Sequence, residues 1–234
     1  MPRSISRWVI RSNSFTAMKR LVIFDLDGTL LNTIADLGEA ANYALKRNGF
    51  PVHSVEKIQS MVGNGIERLL LRALPEGRKD EATLALVKPD FIEYYDENNC
   101  RQTRPYDGIT DILASLAEKG VALAVASNKY ERATFKIIGH FFPDIKWAAI
   151  EGQTDTRPVK PDPAIVFDIL AKIGISRGDV LYVGDSATDM LTARNAGVES
   201  VGVTWGFRGE TELRENGAAH IVESPEEILK LVGF

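Results

Sequence analysis

The sequence predicts an α/β fold: an open, Rossmann-like parallel sheet core with helices on both faces, interrupted by a small α-helical insertion. Three observations carry this reading. First, Leu21-Val22-Ile23-Phe24 is a continuously apolar run, and VALAVASNK (121–129) and DVLYVGDSATD (179–189) repeat the pattern. Such runs suit strands buried on both faces of a parallel sheet. Second, DGITDILASLAEKG (107–120) and DPAIVFDILAKIGI (162–175) alternate with them and stop at Gly120 and Gly174, residues that end helices well. Third, the stretch from about Thr33 to Arg104 is helical in spacing and holds no β run of useful length.

Residues 1–17 stand apart from this pattern. MPRSISRWVIRSNSFTA carries three arginines, no acid, and only Trp8-Val9-Ile10 as an apolar patch, too short for a signal-peptide core of at least about 7 apolar residues. The segment is expected to be a mobile extension ahead of a natural start at Met18, with an organellar transit segment as the alternative. Residues 18–32 and 105–234 are assigned to the sheet core and 33–104 to the insertion. Within the insertion, Ile34, Leu37, Ala41, Ala44 and Leu45 form one helical stripe. VEKIQSMVGNGIERLLLRAL and EATLALVKPDFIEYYDENN are also helical in spacing, with Pro89 expected to start or kink a helix. The chain re-enters the core near TRPYDG (103–108), and WAAIEG (147–152) and SVGVTWG (200–206) add two strands.

Composition narrows the function classes. Among 234 residues, 28 Lys and Arg stand against 32 Asp and Glu, a net charge of -4 with no long single-sign block. This argues against a nucleic-acid surface or a polybasic membrane anchor. No apolar stretch approaches the ~20 residues of a membrane span. The single cysteine, Cys100, cannot form an internal disulfide, which fits a reducing cytoplasm. A cytoplasmic monomer or homodimer is expected.

Open α/β sheets bind ligands at the carboxyl ends of their strands. Three strand ends here present DLDGT (25–29), Ser127-Asn128 and GDSATD (184–189), and Lys160 in RPVKPDP can turn toward the same edge. Three converging carboxylates repel unless a cation holds them. An all-oxygen cluster suits Mg²⁺, and the absence of His or Cys from these motifs argues against zinc. A phosphate would complete the balance, facing Mg²⁺ and Lys160, with Ser127 and backbone N–H groups as donors. The paired Asp25 and Asp27 then have a use: one carboxylate can attack phosphorus, and the other can move the proton. Gly28 permits a tight turn, which the Thr29 hydroxyl can fasten.

FDLDGTL, ASN, VKPDP and GDSATD, in this order, resemble the four motifs of haloacid-dehalogenase-superfamily phosphatases, across nearly all of Lys19 to Phe234. The resemblance implies Asp25 as nucleophile and Asp27 as general acid/base. It implies Ser127 and Asn128 as phosphoryl ligands, and Lys160 as the cation steadying nucleophile and phosphate. Mg²⁺ would be bound by Asp25, by Asp185 and by the backbone carbonyl of Asp27, with Asp189 as a ligand or supporting carboxylate. The insertion is similar to the cap of the phosphoglycolate-phosphatase-like branch, to which MVGNGIERLL (61–70), RPYDG (104–108) and TWGFRG (204–209) also point. In that setting Gly63, Asn64 and Gly65 form a substrate-facing cap loop, Thr29 joins the substrate-binding set, and Thr33 and Arg104 lie near the hinge crossings.

The resemblance therefore implies a Mg²⁺-dependent phosphatase. It would hydrolyse a small phosphorylated metabolite, 2-phosphoglycolate foremost, through an aspartyl-phosphate. The alternatives are a phosphosugar mutase of the β-phosphoglucomutase type, a pyrophosphatase or nucleotidase, and, outside enzymes, a phosphate-binding or receiver-like module. A receiver has about half this length and no large insertion after its first acid cluster. Some motifs also have plainer readings. Gly63-Asn64-Gly65 could be an ordinary helix-to-helix turn, WGFR (205–208) could close a strand and pack Trp205 and Phe207, and Asp189 could be purely structural. His53, His140 and His220 have no paired ligands nearby in sequence and are read as surface or packing residues.

Overall fold

The structure, a computed structural model, describes residues 18–234; the expected extension at 1–17 lies outside the described residues. The chain opens on β1 (Leu21–Phe24), all four residues buried, followed by a two-residue strand β2 (Leu31–Asn32). Four helices come next: α1 (Ile34–Arg47), α2 (Val55–Gln59), α3 (Gly65–Ala73) and α4 (Glu81–Asn98). A short strand β3 (Arg104–Pro105) leads back to α5 (Ile109–Glu118), β4 (Ala122–Tyr130), α6 (Glu131–Phe141), β5 (Ala149–Gln153) and α7 (Ala164–Ile173). The chain ends with β6 (Val180–Gly184), α8 (Ala187–Ala196), β7 (Glu199–Val203), α9 (Glu210–Glu215), β8 (His220–Val222) and α10 (Glu226–Val232).

Six strands form one parallel sheet in the order β5-β4-β1-β6-β7-β8. β1 lies inside it, with Leu21 opposite Ala122 on one side and Val180 on the other. Alternate residues of β1 serve opposite faces, as the two-residue strand period requires. Val22 and Phe24 join the larger core with residues of α1, α5, α6 and α10, whereas Leu21 and Ile23 pack with Ile165, Ile169, Ala193 and Ala196 of α7 and α8. This double burial explains why β1 reads as unbroken hydrocarbon. It also fixes where β1 stops, and so where Asp25 and Asp27 emerge.

The helical segment runs from α1 through α4, and its Ile34, Leu37, Ala41, Ala44 and Leu45 stripe is buried. Two details differ from the sequence reading. The chain enters and leaves this segment through a ribbon of β2 and β3 paired antiparallel, Leu31 opposite Pro105 and Asn32 opposite Arg104. Two residues per strand are too few to leave a β pattern in sequence. Of the two placements expected for Pro89, the start of a helix is not met, for it lies inside α4. The start is set by Asp80, whose carboxylate accepts from the Thr83 N–H at 2.8 Å, a side-chain cap.

Asp36 fastens the returning chain to α1. It is 1% exposed, and its carboxylate accepts from the N–H groups of Gln102 (3.0 Å) and Thr103 (2.9 Å) and from the Thr103 hydroxyl (2.7 Å). Asp36→Ala would leave these donors without a partner in a dry site. The expected destabilisation is about 3 kcal/mol, read as a lower denaturant midpoint at constant m-value.

Candidate active site

Asp25 follows β1 directly, its N–H donating to Val183 O at 2.9 Å as if the ladder ran one residue further. The chain then turns at Gly28, whose φ is +90° and where a Cβ would lie 2.2 Å from Asp185 Oδ2. Only glycine meets both demands. Asp27 leaves the turn on a different side: its Oδ1 accepts from the Thr33 hydroxyl at 2.6 Å, and its Oδ2 pairs with Lys129 Nζ at 3.0 Å. The two acids of FDLDGTL thus have separate partners.

The pairing of β4 with β5 loses register between Ala126 and Tyr130, an irregularity common beside active sites. Ser127 Oγ accepts from the Lys129 N–H at 3.2 Å, which leaves the hydroxyl proton free to be donated. Asn128 is fully engaged. Its Oδ1 accepts from Lys160 N at 2.8 Å, and its Nδ2 donates to Lys160 O (3.2 Å) and to Gly63 O (3.0 Å). Its side chain therefore clamps the Lys160 segment and the helical insert, and is not free to hold an anion.

Lys160 Nζ is surrounded by oxygen: Asp25 Oδ1 at 2.8 Å, Asp189 Oδ1 at 2.8 Å, Ala126 O at 2.9 Å and the Tyr182 hydroxyl at 3.0 Å. Asp189 is held from below, since its Oδ2 accepts from Ser186 N at 3.2 Å and Ser186 Oγ at 2.6 Å in a capping box that opens α8. Asp185 Oδ2 accepts from the Phe207 N–H at 2.6 Å. Gly206 makes that possible, because a Cβ there would lie 2.3 Å from Asp185 Cβ.

Asp25, Asp185 and Asp189 are buried and bring one oxygen each to within 4.8 Å of one another. Burial raises the Asp25 carboxyl from 3.8 to about 7 despite Lys160, with Asp189 and Asp27 adding repulsion. Burial and the charges of Asp189 and Asp25 push Asp185 well above the carboxylate range. Burial opposes the charge on Lys160, but Asp189 and Asp25 outweigh it and raise its pKa. Lys160 touches Asp25 and Asp189 but not Asp185, and the repulsion that raises these carboxyls is what a bound divalent cation would relieve. The donor set is oxygen only, which fits a hard ion. No protein donor among the described residues reaches Asp25 Oδ2 or Asp185 Oδ1, so these are the oxygens available to it. Asp189 has both oxygens occupied and is placed to support the others.

These groups line one pocket. Its far wall comes from the helical insert: Leu37 of α1, Val62, Gly63, Gly65, Ile66 and Leu69 before and along α3, and Phe91 and Tyr95 of α4. Of the three residues expected in a substrate-facing loop, Gly63 and Gly65 reach the wall. Asn64 turns aside, donating to Thr188 Oγ1 at 3.2 Å and accepting from Arg72 at 2.7 Å. Thr29 does not reach the pocket. It is fully buried, and its hydroxyl has no partner, so it does not fasten the turn. Its carbonyl accepts from Trp205 Nε1 at 3.1 Å instead. WGFR does more than close a strand, for Arg208 donates to the carbonyls of Gln59 (2.9 Å) and Val62 (2.8 Å) in the insert.

Sequence reasoning did not find Lys129, Tyr95, Tyr182 or Arg208. A signal existed for Lys129, which follows Ser127-Asn128 directly on the same strand, and for Arg208, which lies in the WGFR stretch.

Residues 22–203 match the family model described as haloacid dehalogenase-like hydrolase. The chain is 34% identical over 220 residues to a phosphoglycolate phosphatase of Mannheimia succiniciproducens, covering 91% of this chain and 98% of that protein. It is 32% identical over 219 residues to a phosphoglycolate phosphatase of Haemophilus influenzae, again covering 91% and 98%. It superposes with a TM-score of 0.85 on the crystal structure of a predicted phosphoglycolate phosphatase from Haemophilus somnus, at 32% identity and covering 91% of this chain and 97% of that one. The chain belongs to the haloacid dehalogenase-like hydrolases. Within them it is a phosphatase, a phosphoric monoester hydrolase. No described helix is long and apolar enough to cross a membrane.

The raised carboxyl of Asp25 has a consequence for stability. In metal-free protein the folded state keeps a proton on Asp25 up to about pH 7, whereas the unfolded chain releases it near 3.8. Stability contributed by that group therefore falls as pH rises between those values. Asp25→Asn carries no such charge, so its Tm relative to wild type should climb from about pH 4 to about pH 7 and level off above. Thermal denaturation in chelator across this range checks it; a flat difference would exclude a buried titrating carboxylate.

Proposed function

We propose that the protein is a Mg²⁺-dependent phosphatase that hydrolyses a small phosphate monoester, 2-phosphoglycolate foremost, through an aspartyl-phosphate on Asp25. One observation carries the mechanism. Asp25 is held by Lys160 at the floor of the pocket, while Asp27, two residues on, is oriented separately by Thr33 and Lys129. Two like residues with different partners suit two different tasks. The names of the relatives support the choice of substrate.

In the first step an Asp25 oxygen attacks phosphorus, and the bond from phosphorus to the ester oxygen breaks. Asp27 gives its proton to that leaving oxygen, releasing the alcohol. In the second step Asp27 takes a proton from water, the water oxygen attacks phosphorus, and inorganic phosphate leaves with Asp25 regenerated. Lys160 neutralises Asp25 and faces the phosphoryl oxygens, and the Ser127 hydroxyl donates to one of them. Asn128 acts through its grip on Lys160 rather than by touching phosphate with its amide. Asp25, Asp185 and the Asp27 carbonyl would hold Mg²⁺, supported by Asp189, and the ion would supply charge neutralisation of the phosphoryl group.

Residues 18–32 and 105–234 act in this reading as the catalytic core and 33–104 as a cap. The cap supplies the apolar wall that excludes bulk water, and its Gly63 and Gly65 face the substrate. The β2–β3 ribbon stands at the crossing between the two.

Asp25→Asn should abolish phosphate release while the protein still folds, and chelator should do the same to wild type until Mg²⁺ is restored. Full activity in either case would refute the scheme. Asp27→Asn should cost about 10²–10⁴-fold in kcat on an alkyl phosphate but far less on p-nitrophenyl phosphate, whose leaving group needs no proton. Across 2-phosphoglycolate, hexose phosphates, nucleotides and pyrophosphate, kcat/KM should favour 2-phosphoglycolate by more than about tenfold, or ~1.4 kcal/mol.

A further inference from the structure

We propose that the Lys129 ammonium, together with the Tyr95 hydroxyl, receives the carboxylate of the substrate and so selects phosphate esters of short 2-hydroxy acids. The inference rests on the proposed role of Asp27 as proton donor to the leaving oxygen.

Three cations line the pocket: Lys129, Lys160 and Arg208. Lys160 has four oxygen partners within 3.0 Å. Arg208 donates to the Gln59 and Val62 carbonyls of the insert, with Glu212 3.7 Å away to balance its charge. Lys129 differs. An ammonium carries three donors, and here two have partners among the described residues: Asp27 Oδ2 at 3.0 Å and the Tyr95 hydroxyl at 2.7 Å. Because Lys129 can only donate, the Tyr95 oxygen accepts, and the Tyr95 proton has no acceptor among the described residues. Two buried donors therefore remain unanswered at one corner of the pocket.

That corner is rigid and dry. The side chain of Lys129 is 2% exposed and Tyr95 is 1% exposed. The Tyr95 ring stacks on Phe91 at 5.4 Å and meets Tyr130 edge-on at 6.4 Å. Around it the wall is hydrocarbon, from Leu37, Val62, Ile66 and Leu69. Among the insert's side chains that line the pocket, the Tyr95 hydroxyl is the polar group, and the Lys129 ammonium stands beside it.

The position relative to the chemistry decides which anion belongs there. Asp27 must come within about 3 Å of the leaving oxygen to protonate it, and Lys129 Nζ lies 3.0 Å from Asp27 Oδ2. In the ester of a 2-hydroxy acid, the carboxylate is bonded to the carbon that bears this same oxygen. An anion so placed falls beside the ammonium without strain. A substrate with a methyl group in place of the carboxylate leaves both donors buried and unpaired, the situation in which a polar site rejects an analogue most strongly.

The test compares 2-phosphoglycolate with ethyl phosphate, which keeps the carbon count and lacks the charge. Wild type should favour 2-phosphoglycolate by at least about a hundredfold in kcat/KM. Lys129→Met should cut that ratio at least tenfold, Lys129→Arg should recover part of it, and Tyr95→Phe should reduce it by a smaller factor. A Lys129→Met protein that slows both substrates equally has lost only its support of Asp27, and the proposal falls while the phosphatase reading stands. A wild type that treats both substrates alike overturns the proposal and the choice of substrate together. Should Lys129→Met not fold, wild type alone decides. The neutral amide of 2-phosphoglycolate should be turned over more than tenfold less efficiently than the acid, and equal rates would overturn the proposal.

Discussion

The ammonium of Lys160 is the contact on which the rest of the site depends. It joins Asp25 at the end of β1, Asp189 in the first turn of α8, and the carbonyl of Ala126 on β4. Three separate chain segments are thereby held at one point. Burying like charges together is unfavourable, and removing the one cation in contact with two of them would leave them uncompensated. Much of the local structure serves to keep that cation in place. Asn128 grips its backbone on both sides, the Ser186 cap fixes Asp189, and the Tyr182 hydroxyl fills the remaining direction.

A second constraint comes from closeness. Gly28, Gly184 and Gly206 all stand where a methyl group would overlap Asp185 or Asp189. The acids are packed against bare backbone, and this lets three carboxylates share so little space. The same loop that contains Gly206 continues into Phe207, whose N–H holds Asp185, and Arg208, which holds the insert through two carbonyls. One short segment therefore ties the acid cluster to the wall that covers it. Closure of that wall and orientation of the acids share residues.

The frame was legible in sequence because it rests on local signals. Unbroken apolar runs marked the central strands, and glycines marked helix ends. β1 coincides with Leu21–Phe24, and Gly174 is the left-handed cap that ends α7. The misses have a common cause. β2, β3 and β8 have two or three residues each, too few for a period, and they exist only because a distant segment pairs with them. The resemblance put Thr29 and Asn128 at the substrate, yet the hydroxyl of Thr29 is buried without a partner and the amide of Asn128 is engaged by Lys160 and Gly63.

By itself the sequence determined the α/β class, the residues at the strand ends and their acidic, oxygen-only chemistry, since strand propensity and residue type are properties of short stretches. Only the tertiary structure decided how these groups divide the space. It gave Asp25 to Lys160 and Asp27 to Lys129, and it turned Asn64 away while leaving Gly63 and Gly65 on the pocket wall. It also brought Tyr95, 34 positions before Lys129 in the chain, into hydrogen bond with it. Such partners are chosen by the packing of α4 over the end of β4, a relation between surfaces far apart in sequence that no local pattern encodes.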